Sequence, residues 1–223
     1  MVSAILLAAG KSSRFVKAQS KVLFKICNRP VIYYSLSVLN RHPQINEIII
    51  VAALENLREI KHIIRRYKIN KVSKVILGGK ERKNSVSNGL KALNSDTDLV
   101  VIHDGARPFI NSKIISSSIL AAKRRGAAIV GVPVKYTVKQ VLRRLVVKTL
   151  KRENIWEIQT PQVFKKEVIL RAYKDISGYA TDDAMLVEKI GIRPSVVLGS
   201  YANLKITTFE DALSAEAILR KNL

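Results

Sequence analysis

The run Ile48-Ile49-Ile50-Val51-Ala52-Ala53-Leu54 constrains this chain more than any other stretch. A strand that is apolar at every position must be covered on both faces, as in a parallel sheet with helices above and below; a sheet open to water on one side would alternate. Residues 47–53 therefore read as a buried strand. Further strands are predicted at 4–8, 72–77, 99–102 and 127–134. The segments between them, 31–39, 57–64, 86–93 and 112–125, carry apolar residues at helical spacing. Strand then helix, repeated, is the pattern of an α/β fold with a mostly parallel sheet.

At 223 residues the chain can bury the core of one large α/β domain, and no linker, repeat or low-complexity tract divides it. The seven-residue run at 48–54 is too short to cross a bilayer, so no membrane partner is expected. Residues 1–10 contain no basic start, and Lys11 interrupts the apolar run that follows, so no export signal is expected. One cysteine, Cys27, excludes an internal disulfide framework and fits a reducing compartment, which makes the cytoplasm the expected location. The charge is extreme, 39 Lys+Arg against 17 Asp+Glu for a net +22. The cations are dispersed along the chain, and aromatic residues make up only 6%. That is a solvated surface more than a nucleic-acid footprint, which gathers cations on one face with stacking residues between them.

Three loops that follow predicted strands carry the chemistry. The first is Ala8-Ala9-Gly10-Lys11-Ser12-Ser13-Arg14, with Lys21 close behind. Residues this small let backbone N–H groups approach anionic oxygens while the cations supply full charge, which suits a phosphate. The stretch matches neither a P-loop nor a dinucleotide fingerprint. The second loop, Gly78-Gly79-Lys80-Glu81-Arg82-Lys83-Asn84-Ser85, precedes a helix. There Arg82 can pair with phosphate, and Ser85 can either cap the helix or bond a base. The third, His103-Asp104-Gly105-Ala106-Arg107-Pro108, sets a carboxylate at a strand tip, where it can hold a divalent cation or pair with Arg107. His103 reads as a supporting group rather than a ligand.

The last third breaks the rhythm. Residues 136–150 alternate and are rich in valine, which predicts a β-hairpin acting as a lid or as an arm on a second subunit, although Arg143-Arg144 is no standard hairpin turn. Beyond Arg152 and Gln159-Thr160-Pro161-Gln162, helices are predicted at 165–173 and 182–190, the latter capped by Thr181. Closing strands are predicted at 196–197 and 204–206, then a terminal helix capped by Thr208.

Several stretches in register resemble one family: Leu7-Ala8-Ala9-Gly10 with Arg14, Gly79-Lys80-Glu81-Arg82 with Ser85, His103 to Pro108, Thr160-Pro161-Gln162, Ala180-Thr181-Asp182-Asp183, and Asn203-Leu204-Lys205-Ile206-Thr207. Together they are similar to the 2-C-methyl-D-erythritol 4-phosphate cytidylyltransferases of the non-mevalonate isoprenoid route. The ribitol-5-phosphate cytidylyltransferases are the alternative, and a nucleic-acid-binding protein on the same scaffold is the alternative of another class. The resemblance implies a single Rossmann-like domain over residues 1–223, with 136–152 as a protruding arm that clasps a partner in a homodimer. It implies transfer of CMP from CTP to a polyol phosphate, with Mg²⁺ on Asp104. Arg14 and Lys21 would stabilise the transition state. Ala8, Ala9, Gly79 and Ser85 would surround cytosine and ribose, with Gly10, Arg82, Asp104 and Gly105 completing the nucleotide set. Thr137, Arg152 and Lys205 would hold the polyol phosphate, the first two completing the partner's site. Ser20, Tyr136 and Ala202 depart from the family pattern and imply looser catalysis rather than lost activity.

Overall fold

A computed structural model describes residues 1–10, 15 and 20–221. The chain opens with β1 (Val2–Ala8), followed by a small ribbon of β2 (Lys25–Ile26) and β3 (Arg29–Pro30), then α1 (Val31–Arg41). It continues through β4 (Glu47–Ala52), α2 (Leu57–Arg66), β5 (Val72–Leu77), α3 (Arg82–Lys91), β6 (Leu99–Asp104), α4 (Ser112–Arg125) and β7 (Ala127–Pro133). After a hairpin of β8 (Lys139–Leu142) and β9 (Leu145–Thr149) come β10 (Trp156–Lys165), α5 (Lys166–Ala172), α6 (Asp183–Lys189), β11 (Ser195–Leu198) and α7 (Phe209–Lys221).

Seven strands form one sheet in the order β11-β7-β10-β6-β1-β4-β5. Every pairing in it is parallel except those of β10, which runs antiparallel between β6 and β7. The fold is thus α/β with a mostly parallel sheet flanked by helices. β1 is buried along its whole length, and its side chains divide by parity. Ala4 and Leu6 pack with Ile32, Leu36 and Leu39 of α1, Ile60 of α2, and Ile115 and Ile119 of α4. Ile5 and Leu7 face the other way, toward Val86 and Leu90 of α3, Ile169 of α5, and Leu186 of α6. A helix on each face is what an all-apolar strand demands. In a smaller cluster, α7 lays Ala212 and Ala215 against Ile26, Val31 and Ile206.

Three features depart from the expectations, and the expected hairpin is present. β10 was not predicted as a strand; its register slips between Gln159 and Gln162, so that Thr160 and Pro161 interrupt the ladder where a proline cannot donate. Asp182, not Thr181, caps α6, its carboxylate accepting from the Met185 N–H at 2.9 Å. Residues 204–206 form no strand; the segment is tied down by the Ile206 N–H donating to the Ala106 carbonyl at 2.9 Å. The hairpin turn works without Asn-Gly because Arg143 and Arg144 both take positive φ, 49° and 66°, the conformation a two-residue turn requires.

Candidate active site

Parallel strands deliver all their carboxyl ends to one edge, so the loops after β1, β5 and β6 meet there. β1 and β6 are neighbours, with Leu7 level with Asp104, and the strands their chains run on to, β4 and β7, lie toward opposite edges of the sheet. Open α/β sheets bind ligands in the crevice at such a switch in strand order. A cavity of about 210 Å³ opens at this point, bounded by Ala9 and Gly10 after β1, Gly79 and Arg82 after β5, Asp104 after β6, and Lys205 from the loop before α7. Lys21, Ser85 and Ala106 also line it. Gly78 lets the first two loops touch: a Cβ there would lie 2.3 Å from the Ala9 Cβ. The Ser85 hydroxyl accepts from the Gly79 N–H at 3.0 Å and donates to the Glu81 carbonyl at 3.1 Å, folding the second loop onto the start of α3. Helix capping itself falls to Glu81.

Charge in the cavity converges on Asp104, which is buried. Lys205 Nζ stands 2.7 Å from Oδ2, Arg82 Nε 3.3 Å from Oδ1, and Arg107 Nε 4.0 Å from Oδ2. Burial alone would raise the carboxyl pKa, but Arg82, Lys205 and Arg107 outweigh it and hold the group far below the usual carboxylate range. Asp104 is therefore an ionised carboxylate inside a positive cluster. Arg82 is doubly anchored: its two terminal nitrogens also reach the two oxygens of Asp183, each at 2.9 Å. Burial would lower the Arg82 pKa, and the charges of Asp183 and Asp104 more than reverse that.

Beneath Asp104 lies a neutral relay. Thr160 Oγ1 accepts from the Asp104 N–H at 3.1 Å and lies 2.9 Å from His103 Nδ1, while His103 Nε2 lies 3.2 Å from the Arg107 carbonyl. The tautomer with hydrogen on Nε2 satisfies every member: Nε2 donates to the carbonyl and Nδ1 accepts from the threonine. Burial pushes the His103 pKa down to about 4, against the pull of Asp104. Because the folded pKa lies below the unfolded value, the unfolded chain binds the proton first. Stability is therefore full above about pH 6.5 and falls as pH drops toward 4. His103→Gln should remove about 2 kcal/mol of the stability change between pH 7 and pH 5, read as urea midpoints at the two pH values. An unchanged pH dependence would refute the neutral relay.

The cavity brings together Ala9, Gly10, Lys21, Gly79, Arg82, Ser85, Asp104 and Lys205 from the predicted set. Arg14 lies outside the described residues. The Ala8 side chain is part of the core beneath the cavity, 1% exposed, and Gly105 is bound to β1 through its N–H and the Leu7 carbonyl at 2.9 Å. Thr137 and Arg152 sit at the base of the hairpin, exposed and outside the cavity lining, and Arg152 Nη1 donates to the Lys135 carbonyl. Asp183 and Asn203 had no assigned role. Asn203 is fully buried; its amide donates to Gln159 Oε1 at 3.1 Å and to the Thr160 carbonyl at 3.0 Å, and its own carbonyl accepts from Arg107 Nη1 at 2.7 Å. That network fixes the loop that delivers Lys205. The recurrence of both residues inside the family-like stretches was the signal available in the sequence.

Comparison with known proteins agrees with this arrangement. Residues 2–221 match the family described as 2-C-methyl-D-erythritol 4-phosphate cytidylyltransferase. The protein of that name from Alkaliphilus metalliredigens is 44% identical over 99% of this chain and 93% of its own length. The one from Dehalococcoides mccartyi strain 195 is 43% identical over 99% and 96%. The crystal structure of 4-diphosphocytidyl-2C-methyl-D-erythritol synthase from Anaerococcus prevotii superposes with a TM-score of 0.88 at 33% identity, covering 98% of each chain. The ribitol-phosphate and nucleic-acid alternatives gain no support from these relatives. The chain belongs to the 2-C-methyl-D-erythritol 4-phosphate cytidylyltransferase family.

Proposed function

We propose that the cavity around Asp104 is where the family's two anionic substrates meet, and that the cations converging on that carboxylate are what allow them to do so. The chain is a cytidylyltransferase that moves CMP from CTP to 2-C-methyl-D-erythritol 4-phosphate, a step of non-mevalonate isoprenoid biosynthesis. The attacking group is a phosphate monoester whose second pKa is about 6, so it arrives ionised and needs no general base. The barrier is electrostatic. Two anions must approach, and charge builds on the α-phosphate and on the departing pyrophosphate. Lys21, Lys205 and Arg107 supply positive charge for this, and the small residues Ala9 and Gly79 leave room for a pyrimidine. Arg14, which lies outside the described residues, is assigned to the triphosphate by the family resemblance alone.

A divalent cation, Mg²⁺ by the family's pattern, fits this donor set. Asp104 offers one ionised carboxylate to the cavity, and Mg²⁺ is commonly held by one or two carboxylates with substrate phosphates completing its shell. Among the described residues no group of three or more carboxylates, histidines or cysteines could hold a metal without such help. When bound, the ion would neutralise phosphate charge.

Homodimerisation through residues 136–152 is supported by the exposed apolar side chains of the hairpin, among them Leu142 and Leu145, a surface that water alone covers poorly. Thr137 and Arg152 would then complete the partner's acceptor site, and sedimentation of the purified chain as a monomer would overturn the assignment. A single cysteine supports a cytoplasmic setting. The observation that carries the reading is the Asp104 carboxylate at the cavity, with nitrogens of Lys205, Arg82 and Arg107 all within 4.0 Å of it. Its test is pyrophosphate release that requires CTP and methylerythritol phosphate together; release from CTP with ribitol phosphate but not with methylerythritol phosphate would move the assignment.

A further inference from the structure

Asp183 lies in the first turn of α6, and its side chain is completely buried. An uncompensated carboxylate there would be costly. It is matched on both oxygens: Oδ1 accepts from Arg82 Nη1 at 2.9 Å and from the Tyr173 hydroxyl at 2.6 Å, and Oδ2 accepts from Arg82 Nη2 at 2.9 Å. The planar fork of the guanidinium meets the carboxylate edge to edge, so the pair fixes the orientation of Arg82 as well as its charge. The remaining nitrogen, Nε, points to Asp104 Oδ1 at 3.3 Å. One side chain thus joins three elements: the start of α3, the tip of β6 and the start of α6.

α6 is itself fixed independently. Gln162 of β10 donates to Asp182 Oδ2 at 2.7 Å and accepts from the Ala184 N–H at 3.1 Å, on either side of Asp183. The anchor is held by contacts that do not involve Arg82. With both terminal nitrogens occupied, Arg82 is poorly placed to swing out as a mobile phosphate grip. It acts instead as a strut whose length sets the distance between the Gly79 loop and Asp104.

We propose that Asp183, supported by the Tyr173 hydroxyl, is a positioning residue for cytidylyl transfer: it locks Arg82 between the nucleotide loop and Asp104 and so sets the shape of the CTP site. The proposal rests on the assignment of this cavity to CTP. Asp183→Asn keeps the size of the side chain but removes its charge and sets an amide N–H₂ against the guanidinium. Losing a buried charged hydrogen-bond pair of this kind should raise the Kd for CTP by roughly tenfold to a hundredfold, read by calorimetry at fixed divalent-ion concentration. KM for CTP should rise in parallel while KM for the acceptor stays within about twofold, a split that general loosening of the fold would not produce. Asp183→Glu should recover part of the loss because it restores the charge. Tyr173→Phe removes one donor and leaves the ion pair, so it should move the CTP constants by only a few-fold.

Unchanged CTP affinity in Asp183→Asn, or equal rises in both KM values, would overturn the proposal. If Asp183→Asn fails to fold, Tyr173→Phe decides the question: a CTP-selective effect supports the proposal and its absence refutes it. Wild-type protein that binds CTP but releases no pyrophosphate would sink the functional reading and leave the calorimetric comparison intact.

Discussion

Asp104→Asn is expected to lower kcat/KM by roughly a thousandfold or more, the largest effect of any single change in the cavity. The substitution keeps shape and removes one negative charge from a site where Lys205, Arg82 and Arg107 all lie within 4.0 Å. Asp183 still neutralises Arg82, but Lys205 and the largely covered Arg107 lose their nearest anion. Breaking a buried pair from one side costs about 3–5 kcal/mol in general, and the partial exposure of Lys205 puts the stability loss near the lower end. The kinetic loss should exceed what that instability explains, because the substrates would meet cations no longer held in place and the carboxylate proposed to hold a divalent ion would be gone. The pH dependence separates this effect from that of His103. A carboxyl whose folded pKa is depressed stabilises the fold above its unfolded pKa, near 4, and that stability is lost as pH falls further. The His103 effect acts between about pH 6.5 and 4. Steady-state pyrophosphate release and urea unfolding at pH 7 are the measurements; an Asp104→Asn protein within tenfold of wild type would remove Asp104 from the centre of the site.

The sheet was legible in the sequence where local pattern and tertiary demand agree. β5 and α4 occupy the predicted residues 72–77 and 112–125, because Val72, Val75 and Ile76 of the edge strand β5 pack, partly buried, against the core on either face and because Asn111 and Gly126 bound α4 at either end. Legibility failed where tertiary context overrode a local rule. Pro161 argues against a central strand, yet β10 sits in mid-sheet because its two halves pair on either side of the interruption. Residues 204–206 look like a strand because Leu204 and Ile206 are apolar, but those side chains serve the cluster under α7. In the site, the loops could be named from small residues and cations close together in sequence. The grip of Asp183 on Arg82 could not, because 101 residues separate the partners and nothing local to either indicates the other. The His103–Thr160 relay spans 57 residues and was equally hidden.

The second large effect concerns a residue with no side chain. Gly78→Val is expected to raise KM for CTP by roughly a hundredfold, with a stability loss of about 1–3 kcal/mol from overpacking. Any Cβ at position 78 would stand 2.3 Å from the Ala9 Cβ and 2.9 Å from Ser85 Oγ. The serine hydroxyl can rotate, at the cost of the bond that holds the Gly79 N–H. The alanine methyl cannot, since it is fixed to the backbone, so the loops after β1 and β5 would have to separate. Both loops line the cavity, and a shift of even an ångström there misplaces what the nucleotide touches. Gly191→Ala provides the comparison. Gly191 has a φ of +81° with nothing within 4 Å of its missing Cβ, so it should lose about 1 kcal/mol through backbone strain alone. If both variants lose similar stability and only Gly78→Val loses CTP affinity, close contact of the two loops is what shapes the nucleotide site. If Gly78→Val binds CTP as the wild type does, the loops have room that this structure does not give them, and the cavity has been assigned to the wrong ligand.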